Sequence, residues 1–418
     1  MNELRDDCFK AGDQRMPMAD ALAILAARLD TVTDIETIPL NAAAGRLLAE
    51  DVVASLDVPP HDNAAVDGYA VCFDDLDETN ETKLPVTGHV AAGHPLDRAA
   101  KNGEAVRIFT GAPMPAGTDT VFMQEDCALD ADGVRLPTGI ARGANRRRRG
   151  EDICKGDGVL AAGSWLRPQD IGLAAATGRT QLDVFTRLRV AVFSTGDEIH
   201  EPGTDLPEGG IFDANRYTLM ALLNGMGCAV TDLGILPDRL EAVRDALKDA
   251  ADGHDLLFTS GGVSVGEEDH IRAAVSAMGE IHFWQLAIKP GRPIALGQVG
   301  KVPFIGLPGN PVAAAVTFLR FARPAVLRLA GAKNTDPLLT RVKAGFAMKK
   351  KAGRREWLRC QLTRDAKGDL VARVFPREGS GILSSMVWSD GLVELPEALT
   401  TIEEGMDVDF LSYAEVMP

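Results

Sequence analysis

Residues 187–199 read RLRVAVFSTGDEI, an apolar run that ends in a glycine turn carrying two carboxylates. Such a run predicts a buried strand followed by a turn. Further strands are predicted in CAVTDLGIL (228–236), DLLFTSGG (255–262) and PFIGLPGNP (303–311), with helical patterns between them. The alternation across residues 187–330 predicts βαβ units, and hence a mostly parallel sheet covered by helices.

Two helices of this region have clear start signals. DRLEAVRDALKDAADG (238–253) begins with Asp238 and Glu241, which have the spacing of a capping box. The helix after PFIGLPGNP is predicted to have Asn310 as its N-cap and Pro311 in its first turn. Each of these helices is therefore predicted to follow directly on a strand-end turn.

The N-terminal part of the chain has a different character. Residues 1–50 are predicted to be helical, because MADALAILAARLDTV (18–32) has apolar residues at helical spacing. Residues 51–165 are rich in Gly, Pro and Val between short apolar runs, which predicts a β-rich insertion. LRPQDIGLAAATG (166–178) predicts a helix closed by Gly178.

Short strand patterns return after GAKNTDP (331–337), the predicted linker. They predict a small C-terminal β-barrel or sandwich, of which we favour the barrel. The expected division is therefore residues 1–180 (a helical segment and a β-rich insertion, as two subdomains), 187–330 (α/β) and 335–418 (the barrel).

The composition excludes several classes of protein. The chain has 418 residues, and 60 acidic against 44 basic residues give a net charge of −16. This charge opposes generic binding to nucleic acid or to an anionic membrane surface, although a local basic pocket can still hold a small anion. The sequence contains no apolar run of the roughly 18 residues that a transmembrane helix needs.

Cysteine and histidine usage points away from disulfides and zinc. The six cysteines include no C-x-x-C pair, and the seven histidines form no H-x-x-x-H pair. A disulfide framework and a zinc site are both disfavoured, and a reducing compartment fits. The charged opening MNELRDDCFK lacks the apolar core of a signal peptide, so we expect a cytoplasmic protein.

Five strand-end turns carry polar or glycine-rich sequence. They are STGDE (194–198), LPD (236–238), TSGGVSVGEED (259–269), IKPGRP (288–293) and LPGNP (307–311). Ligands of an open parallel sheet bind beyond the carboxyl ends of its strands, so these turns predict a shared site. Glycine lets the backbone approach a ligand closely, and helix N-termini attract anions.

Charged residues of both signs accompany these turns. They are Lys289, Arg292, Asp197, Glu198, Asp238 and Asp269. Cations and carboxylates at one edge suit a phosphate or oxyanion held together with a divalent metal. Mg²⁺ in particular prefers one or two carboxylates plus substrate phosphate and water.

Each motif also has a purely structural interpretation. Asp238 alone fits a helix cap, and Asp197 with Glu198 fits a turn. Arg146–Arg149 fits a solvated loop. PPHDNAAVDGYAV (59–71) fits an array of Asx turns. The polar turns favour a site because they occur together at the strand ends.

A serine hydrolase is a weaker interpretation. Residues 262–266 match G-x-S-x-G between a predicted strand and helix, which is the context of a nucleophile elbow. That mechanism needs a later Asp and His, but His270 is too close in sequence and His282 lies within a predicted strand. The same stretch contains neither a Walker loop nor a dinucleotide fingerprint.

Eight motifs in order identify a family. They are DNAAVDGYAV (62–71), TGAPMPAGTDTVFMQED (110–126), RRRGEDI (147–153), FSTGDEI (193–199), IFDANRYTL (211–219), TSGGVSVGEED (259–269), AIKPGRP (287–293) and GLPGNPV (306–312). Together they resemble the molybdopterin molybdenumtransferases, the MoeA-type family whose animal counterpart is the E domain of gephyrin. The resemblance covers nearly the whole chain.

The resemblance implies a function as well as a fold. It implies an elongated four-part subunit that forms homodimers with a cleft shared between subunits. It implies insertion of molybdenum from molybdate into adenylylated molybdopterin, with release of AMP and assistance by Mg²⁺. The adenylyltransferase of the same pathway and the recipient molybdoenzymes are the partners it suggests.

The resemblance also implies roles for individual residues. Asp238 and Asp269 match the Mg²⁺ carboxylates, and Glu198 would position substrate or a water. A phosphate or oxyanion would be held by Ser264 and the amides of Gly261 and Gly262, and its charge would be neutralised by Lys289 and Arg292. Asp62, Thr110 and Asp152 match positions that act in the partner subunit's half of the cleft, whereas Arg359 and Ser380 match cleft positions of the C-terminal domain.

The sequence departs from its relatives at a few of these positions. Ala64 and Val66 are small changes within DNAAVDGYAV, and Gln285 stands where some relatives have Lys. Arg292 replaces a common Lys. Ala313 replaces a common Ser, which removes one hydroxyl from the expected oxyanion contacts.

Three alternatives stay open at this point. The first is the adenylyltransferase of the preceding step, which resembles residues 187–330 but is usually a single α/β domain. The second is a scaffold protein that uses the same fold for protein binding. The third is a variant that handles tungstate, or another dithiolene cofactor, since molybdate and tungstate have the same charge and nearly the same size.

Overall fold

The N-terminal part of the molecule combines short helices with several small sheets. The structure, a computed structural model, describes residues 15–262 and 270–417, so Ser264 and Asp269 lie outside the described residues. The elements are α1 (Met18–Arg28), β1 (Ile35–Pro39), β2 (Val52–Val53), β3 (Asn63–Ala64), β4 (Gly68–Val71), β5 (Thr82–Leu84), β6 (Val86–Val90), β7 (Ala105–Ile108), β8 (Thr120–Met123), β9 (Ala128–Asp130), β10 (Gly133–Leu136), β11 (Arg146–Arg147), β12 (Gly158–Leu160), α2 (Pro168–Ala176) and β13 (Gln181–Phe185).

The β-rich insertion consists of small sheets. β6-β7-β4-β8 form one sheet and β5-β10-β9 another, while β11 pairs with β3 and β12 with β2. The prediction that residues 1–50 are helical is wrong beyond Arg28, because β1 pairs antiparallel with β13. The sequence TVTDIETIP (31–39) explains this, since β-branched residues favour strands over helices. The helix α2 ends before Gly178, as predicted.

The central part is an α/β domain. Its elements are β14 (Arg189–Thr195), β15 (Ile199–His200), β16 (Ile211–Phe212), α3 (Ala214–Gly225), β17 (Ala229–Leu236), α4 (Leu240–Gly253), β18 (Leu256–Ser260), α5 (His270–Met278), β19 (Ile281–Gln285), β20 (Ile288–Lys289), β21 (Pro293–Val299), β22 (Val302–Leu307), α6 (Pro311–Thr317) and α7 (Arg323–Leu329), with a π-helical turn at Phe318–Ala322. The sheet order is β17-β14-β18-β22-β21-β19. The first four strands are parallel, β21 runs antiparallel to them, and β19 pairs antiparallel with β21, which confirms the predicted mostly parallel sheet.

Side chains alternate between two cores on opposite faces of this sheet. Val192 and Phe258 pack into the core that contains α3 and α6, and Phe193 and Leu257 pack into the core that contains α4 and α5. This is the period of two that a strand imposes. Helices therefore cover both faces, and the carboxyl ends of the parallel strands are left for ligands.

The C-terminal part is a β-barrel. Its elements are β23 (Thr340–Ala344), β24 (Met348–Lys349), β25 (Arg355–Arg364), β26 (Leu370–Val374), α8 (Ser384–Trp388), β27 (Gly391–Leu395), β28 (Thr401–Ile402), β29 (Asp407–Ser412) and α9 (Tyr413–Val416). Strands β25-β26-β23-β29-β27 pair in that order, and β27 pairs back with β25 to close the barrel, as predicted. β20 of the central domain adds to β25 in parallel and so joins the two domains.

Two helix starts test the capping signals. Asn310 occupies the N-cap position of α6 and Pro311 lies in the first turn, as predicted, although the Asn310 side chain makes no capping hydrogen bond. The predicted capping box of Asp238 and Glu241 is wrong, because α4 begins at Leu240, its N-cap is Arg239, and no side chain caps it. The Asp238 carboxylate therefore does not cap the helix. The boundaries predicted for the three domains stay predictions.

Candidate functional site

A cleft of about 1240 Å³ separates the α/β domain from the barrel. Residues within 194–199, 211–215, 260–262, 289–293, 308–313, 346–348, 356–359 and 374–380 line it. Four of the five strand-end turns predicted to converge therefore lie on one wall. The barrel supplies the opposite wall, including Arg359 and Ser380.

The glycine turn after β18 depends on backbone conformations that favour glycine. Gly261 has a φ of +92° and Gly262 a φ of +61°. A Cβ on Gly262 would lie 2.6 Å from Cδ1 of Ile271. The Gly261 amide donates to the Leu307 carbonyl at 3.0 Å, so Gly261 contributes the shape of the turn and not a free N–H. This corrects the expectation that its amide holds an anion.

Asn215 connects two of the turns that line the cleft. Its Nδ2 donates to Ser260 Oγ at 2.8 Å and to the Gly309 carbonyl at 2.7 Å. Ser260 Oγ in turn donates to the Pro308 carbonyl at 3.1 Å. One amide group therefore fixes the end of β18 against the turn that precedes α6.

A buried arginine anchors the start of α3, where Asn215 lies. Arg216 is 1% exposed, and its Nε donates to Asp213, the N-cap residue of α3, at 2.9 Å. The same guanidinium binds Asp232 and Glu201. Burial opposes the charge of Arg216, but the carboxylates of Asp213 and Asp232 outweigh it and raise the pKa of Arg216 above the ordinary value. This network holds the first turn of α3 rigidly at the cleft wall.

Lys289 carries the positive charge at the junction of the two domains. Its Nζ lies 3.2 Å from Glu378 Oε2 and 3.7 Å from Glu356 Oε2. Lys289 is the register partner of Glu356 in the β20–β25 pairing. Arg354 Nε donates to the other Glu356 oxygen at 2.7 Å. The lysine predicted from the AIKPGRP motif is thus held by the barrel.

Two arginines add charge to the same cleft. Arg359 Nη2 donates to the Arg377 carbonyl at 3.2 Å, while its Nε is buried without a hydrogen-bond partner among the described residues. Burial lowers the pKa of Arg359 from its ordinary value. Arg292 lines the cleft, and no ion pair of its side chain occurs within the described part of the chain. Both guanidinium groups are suited to an incoming anion.

Two carboxylates predicted at the strand ends, Glu198 and Asp238, complete the set of charged candidates. Glu198 is exposed and lines the cleft. Asp238 is not one of the residues that line the cleft, but its Oδ1 accepts a long hydrogen bond of 3.4 Å from Oγ1 of Thr195, which does line it. Within residues 15–262 and 270–417, no group of three or more His, Cys, Asp or Glu side chains is arranged to hold a metal ion. The carboxylate of Asp238 still suits Mg²⁺, which needs few protein ligands when a substrate phosphate supplies the others.

Ser380 contributes its backbone to the architecture of the cleft. Its carbonyl accepts a hydrogen bond of 2.9 Å from the Val312 amide of α6. This bond ties the segment 374–380 of the C-terminal domain to the start of α6. The Ser380 side chain is available at the cleft wall, where the resemblance predicts it.

The motif residues of the β-rich insertion form a separate group, the insertion cluster of Asp62, Asp67, Thr110, Arg146 and Arg149. Pairing of β3 with β11 brings the first and third motifs together, and pairing of β4 with β8 brings in the second. None of these residues lines the cleft of their own chain. Asp152 lies nearby in sequence and is exposed, with its amide donating to the Val58 carbonyl at 3.1 Å.

Hydrogen bonds satisfy the two carboxylates of the insertion cluster. The amide and hydroxyl of Thr110 both donate to Asp67 Oδ1 at 2.7 Å, which lowers the pKa of Asp67. The Arg149 amide donates to Asp62 Oδ1 at 2.8 Å, and Arg146 Nη1 lies 3.7 Å from Asp62 Oδ2. The cluster is therefore an ordered polar surface.

The departures from relatives fall in different environments. Ala313 lines the cleft and is buried, so the lost hydroxyl is lost from the cleft wall. Gln285 is exposed and lies outside the cleft lining. Ala64 and Val66 pack in an apolar core of the insertion. Arg292, the remaining departure, also lines the cleft, so Ala313 and Arg292 are the departures placed to affect a ligand.

Sequence reasoning missed three residues of the site. Asn215 was quoted within IFDANRYTL but given no role, although an Asn two residues after an N-cap Asp could have signalled a helix start facing a ligand. Glu356 and Glu378 belong to the barrel, and no local pattern indicates that they meet Lys289. Their contacts depend on how two domains pack.

No helix in the described ranges is both long and apolar enough to cross a membrane.

Comparison with known protein families gives consistent matches along the chain. The MoeA N-terminal region (domain I and II) matches residues 16–178. A probable molybdopterin binding domain matches residues 191–328. The MoeA C-terminal region (domain IV) matches residues 341–413. The three matches follow the order of the N-terminal part, the α/β domain and the barrel.

Similar proteins extend over nearly the full chain. A molybdopterin molybdenumtransferase of Haemophilus influenzae is 39% identical over 379 residues, which cover 90% of this chain and 93% of that protein. One of Nostoc sp. is 34% identical over 404 residues, covering 93% and 91%. The crystal structure of the molybdopterin biosynthesis MoeA protein of Pyrococcus horikoshii OT3 superimposes with a TM-score of 0.83 at 31% identity, covering 96% of this chain and 100% of that one.

Proposed function

The chain belongs to the MoeA family, a family of transferases in molybdenum cofactor biosynthesis, and from that premise we propose that it inserts molybdenum from molybdate into adenylylated molybdopterin and releases AMP. The observation that carries this proposal is the cleft itself. Glycine turns at the ends of parallel strands line one cavity together with Lys289 and Arg292, and the opposite wall supplies Arg359. This arrangement suits a phosphoanhydride and an oxyanion held side by side.

The charged groups of the cleft have distinct roles in this proposal. Lys289 and Arg292 neutralise the negative charge of the bound anions as the phosphoanhydride is broken. Arg359, with its partly desolvated fork of donors, binds molybdate. Ser380 and Ser264 supply hydroxyl donors, Gly262 supplies its amide, and Glu198 orients substrate or water.

Magnesium would be held at the end of β17. The first proposed ligand is Asp238, whose carboxylate does not cap α4, and the second proposed ligand of Mg²⁺ is Asp269. When bound, Mg²⁺ would supply a positive charge that stabilises the leaving phosphate. Asp238 also keeps Thr195 in place at the strand end through their hydrogen bond.

The insertion cluster is proposed to act in trans. Asp62 and Thr110, with Asp152, do not line the cleft of their own chain, although the resemblance assigns them to the active site. A homodimer in which the insertion of one subunit covers the cleft of the other reconciles these two statements. The cytoplasm stays the predicted compartment, and the adenylyltransferase and recipient molybdoenzymes stay predicted partners.

The alternatives have less support. A single-domain adenylyltransferase does not account for matches to the N-terminal and C-terminal regions of MoeA proteins. A pure scaffold does not require a cleft with three cations. A tungstate-specific variant differs only in its oxyanion, and the assay below includes that anion.

The experiment that tests the proposal is a turnover assay. Purified protein receives adenylylated molybdopterin, Mg²⁺ and either molybdate or tungstate, and AMP and the metal-containing cofactor are measured together. Molybdate-dependent formation of both products is the expected result. Nucleotide binding without AMP release would contradict the proposal and favour a scaffold.

A further inference from the structure

Lys289 pairs with two glutamates of the C-terminal domain that differ in burial. Glu356 is 1% exposed and lies 3.7 Å from Nζ, whereas Glu378 is 86% exposed and lies 3.2 Å from it. One lysine cannot be fully available to a substrate anion while it binds an acidic side chain at hydrogen-bond distance. The two carboxylates therefore have different roles as counter-ions of Lys289.

Glu356 is a fixed counter-ion. Its position on β25 is set by the register that pairs it with Lys289, and Arg354 holds its Oε1. Its Oε2 is buried and makes no hydrogen bond within the described part of the chain. Removing a buried carboxylate from its partners is expensive, so Glu356 stays in place when a ligand arrives.

Glu378 is a displaceable counter-ion. It lies on the segment 374–380 that lines the cleft, and its side chain is mostly in water. Ion pairs of such exposed side chains contribute little stability, because solvent screens them and the side chains lose freedom. Glu378 can therefore leave Lys289 at small cost when a more highly charged anion is present.

We infer that Glu378 occupies the oxyanion position at Lys289 in the free protein and is exchanged for the substrate oxyanion. The inference rests on the proposed function, because it takes the cleft to bind an oxyanion. The exchange replaces a single negative charge by a dianion. Glu378 is then a specificity-determining residue, since it weakens the binding of every anion and only a strongly attracted one displaces it.

Titration calorimetry with molybdate alone tests this on the full-length protein. Glu378→Gln keeps the size of the side chain but removes its charge, and we expect a molybdate Kd about three- to tenfold lower, as for the loss of one nearby charge. Glu403→Gln, which neutralises another exposed glutamate of the C-terminal domain outside the cleft, is the matched control with an unchanged Kd.

A second pair of variants shows whether Glu378 acts through Lys289. In a Lys289→Ala background, the same Glu378→Gln change should alter the molybdate Kd less than about twofold, because Glu378 and molybdate no longer compete for the Lys289 ammonium group. Equal molybdate affinity of wild type and Glu378→Gln would overturn the inference and leave the proposed function standing. Absence of molybdate binding in both proteins would overturn both. An undiminished effect in the Lys289→Ala background would also overturn the inference, because it would show only long-range repulsion.

Discussion

The cleft and the insertion cluster are both rich in charge, but they neutralise it differently. In the insertion cluster, Asp62 and Asp67 accept hydrogen bonds from backbone amides and from Thr110. In the cleft, Arg359 keeps a buried Nε without a hydrogen bond among the described residues, and Lys289 pairs with an exposed glutamate. Arg146 Nε of the insertion cluster is likewise buried without a hydrogen bond among the described residues, so the two regions differ in their carboxylates and not in their arginines. Backbone amides and a hydroxyl hold the carboxylates of the cluster, whereas Lys289 holds Glu356 and Glu378 in the cleft.

The largest effect is expected from removing a cation of the cleft. Lys289→Ala should lower the rate of AMP release roughly 100- to 1000-fold, because a positioned charge that stabilises developing negative charge contributes on this scale. The rate is measured at saturating substrate. Lys301→Ala is the control, since Lys301 is exposed on the β21–β22 hairpin at the opposite end of the sheet. An equal loss in both variants would refute a local role for Lys289.

Asn215→Ala should have the next largest effect. The variant leaves Ser260 and the Gly309 carbonyl without their shared donor, so the two turns lose their fixed spacing. One of these two hydrogen bonds is partly buried and the other exposed, so each contributes about 0.7 kcal/mol, and their joint loss in the transition state lowers the rate by roughly tenfold. Asn224→Ala, near the other end of α3, is the control with an unchanged rate. A normal rate for Asn215→Ala would contradict the prediction, because it would show that activity does not depend on the spacing of these two turns.

Asp238→Asn tests the metal side of the cleft. If Asp238 holds Mg²⁺, the Mg²⁺ concentration for half-maximal activity should rise about tenfold, as for the loss of one charged ligand. Asp245→Asn on α4 removes an exposed charge from the next helix and should leave the requirement unchanged. If the Mg²⁺ requirement of Asp238→Asn stays at the wild-type value, Asp238 is not a ligand.

The smallest effect is expected for Thr110→Val, which should raise the pKa of Asp67. Its ordinary value is 3.8, and the amide and hydroxyl of Thr110 lower it in the folded protein. Without the hydroxyl the pKa should rise toward 3.8 and stay below it, because the amide still donates. The titration of Asp67 is followed by NMR, with Thr118→Val as control. An unchanged pKa would show that the hydroxyl contact is absent in solution.

The sign of the matching stability effect follows from the lowered pKa. A carboxyl whose folded pKa is depressed stabilises the protein above its unfolded pKa and loses that contribution as the pH falls through the folded value. For Asp67 this window lies at and below 3.8. In Thr110→Val the contribution is smaller, so the free energy of unfolding should decline less between neutral pH and the acid limit.

The sequence predicted the elements of the cleft better than their contacts. Buried strands and glycine turns depend on local pattern, so the sheet and the convergence of its turns could be predicted from RLRVAVFSTGDEI and DLLFTSGG. The pairing of Lys289 with Glu356 joins two domains, and no local pattern encodes it. At Asp238 a local pattern was misleading. The spacing of Asp238 and Glu241 predicted a capping box, but α4 begins at Leu240 with Arg239 as its N-cap, so Asp238 does not cap the helix.

The insertion cluster marks the other limit of sequence reasoning. The Asx-turn interpretation is wrong for Asp67 and Asp62, because their carboxylates accept hydrogen bonds from Thr110 and Arg149, which are distant in sequence. The absence of the cluster from the cleft lining of its own chain leaves the proposed role to a second subunit. A pattern in one sequence cannot show which copy of the chain a residue serves.

The most direct test of this account is a complementation between two inactive chains. Lys289→Ala and Asp62→Ala chains carry different affinity tags, are produced together, and the doubly tagged heterodimer is isolated and assayed for molybdate-dependent AMP release. If the insertion cluster of one subunit completes the cleft of the other, the heterodimer has one intact site of two and should reach about half of wild-type activity. A heterodimer as inactive as its parents, or a failure of the chains to associate, would contradict the account.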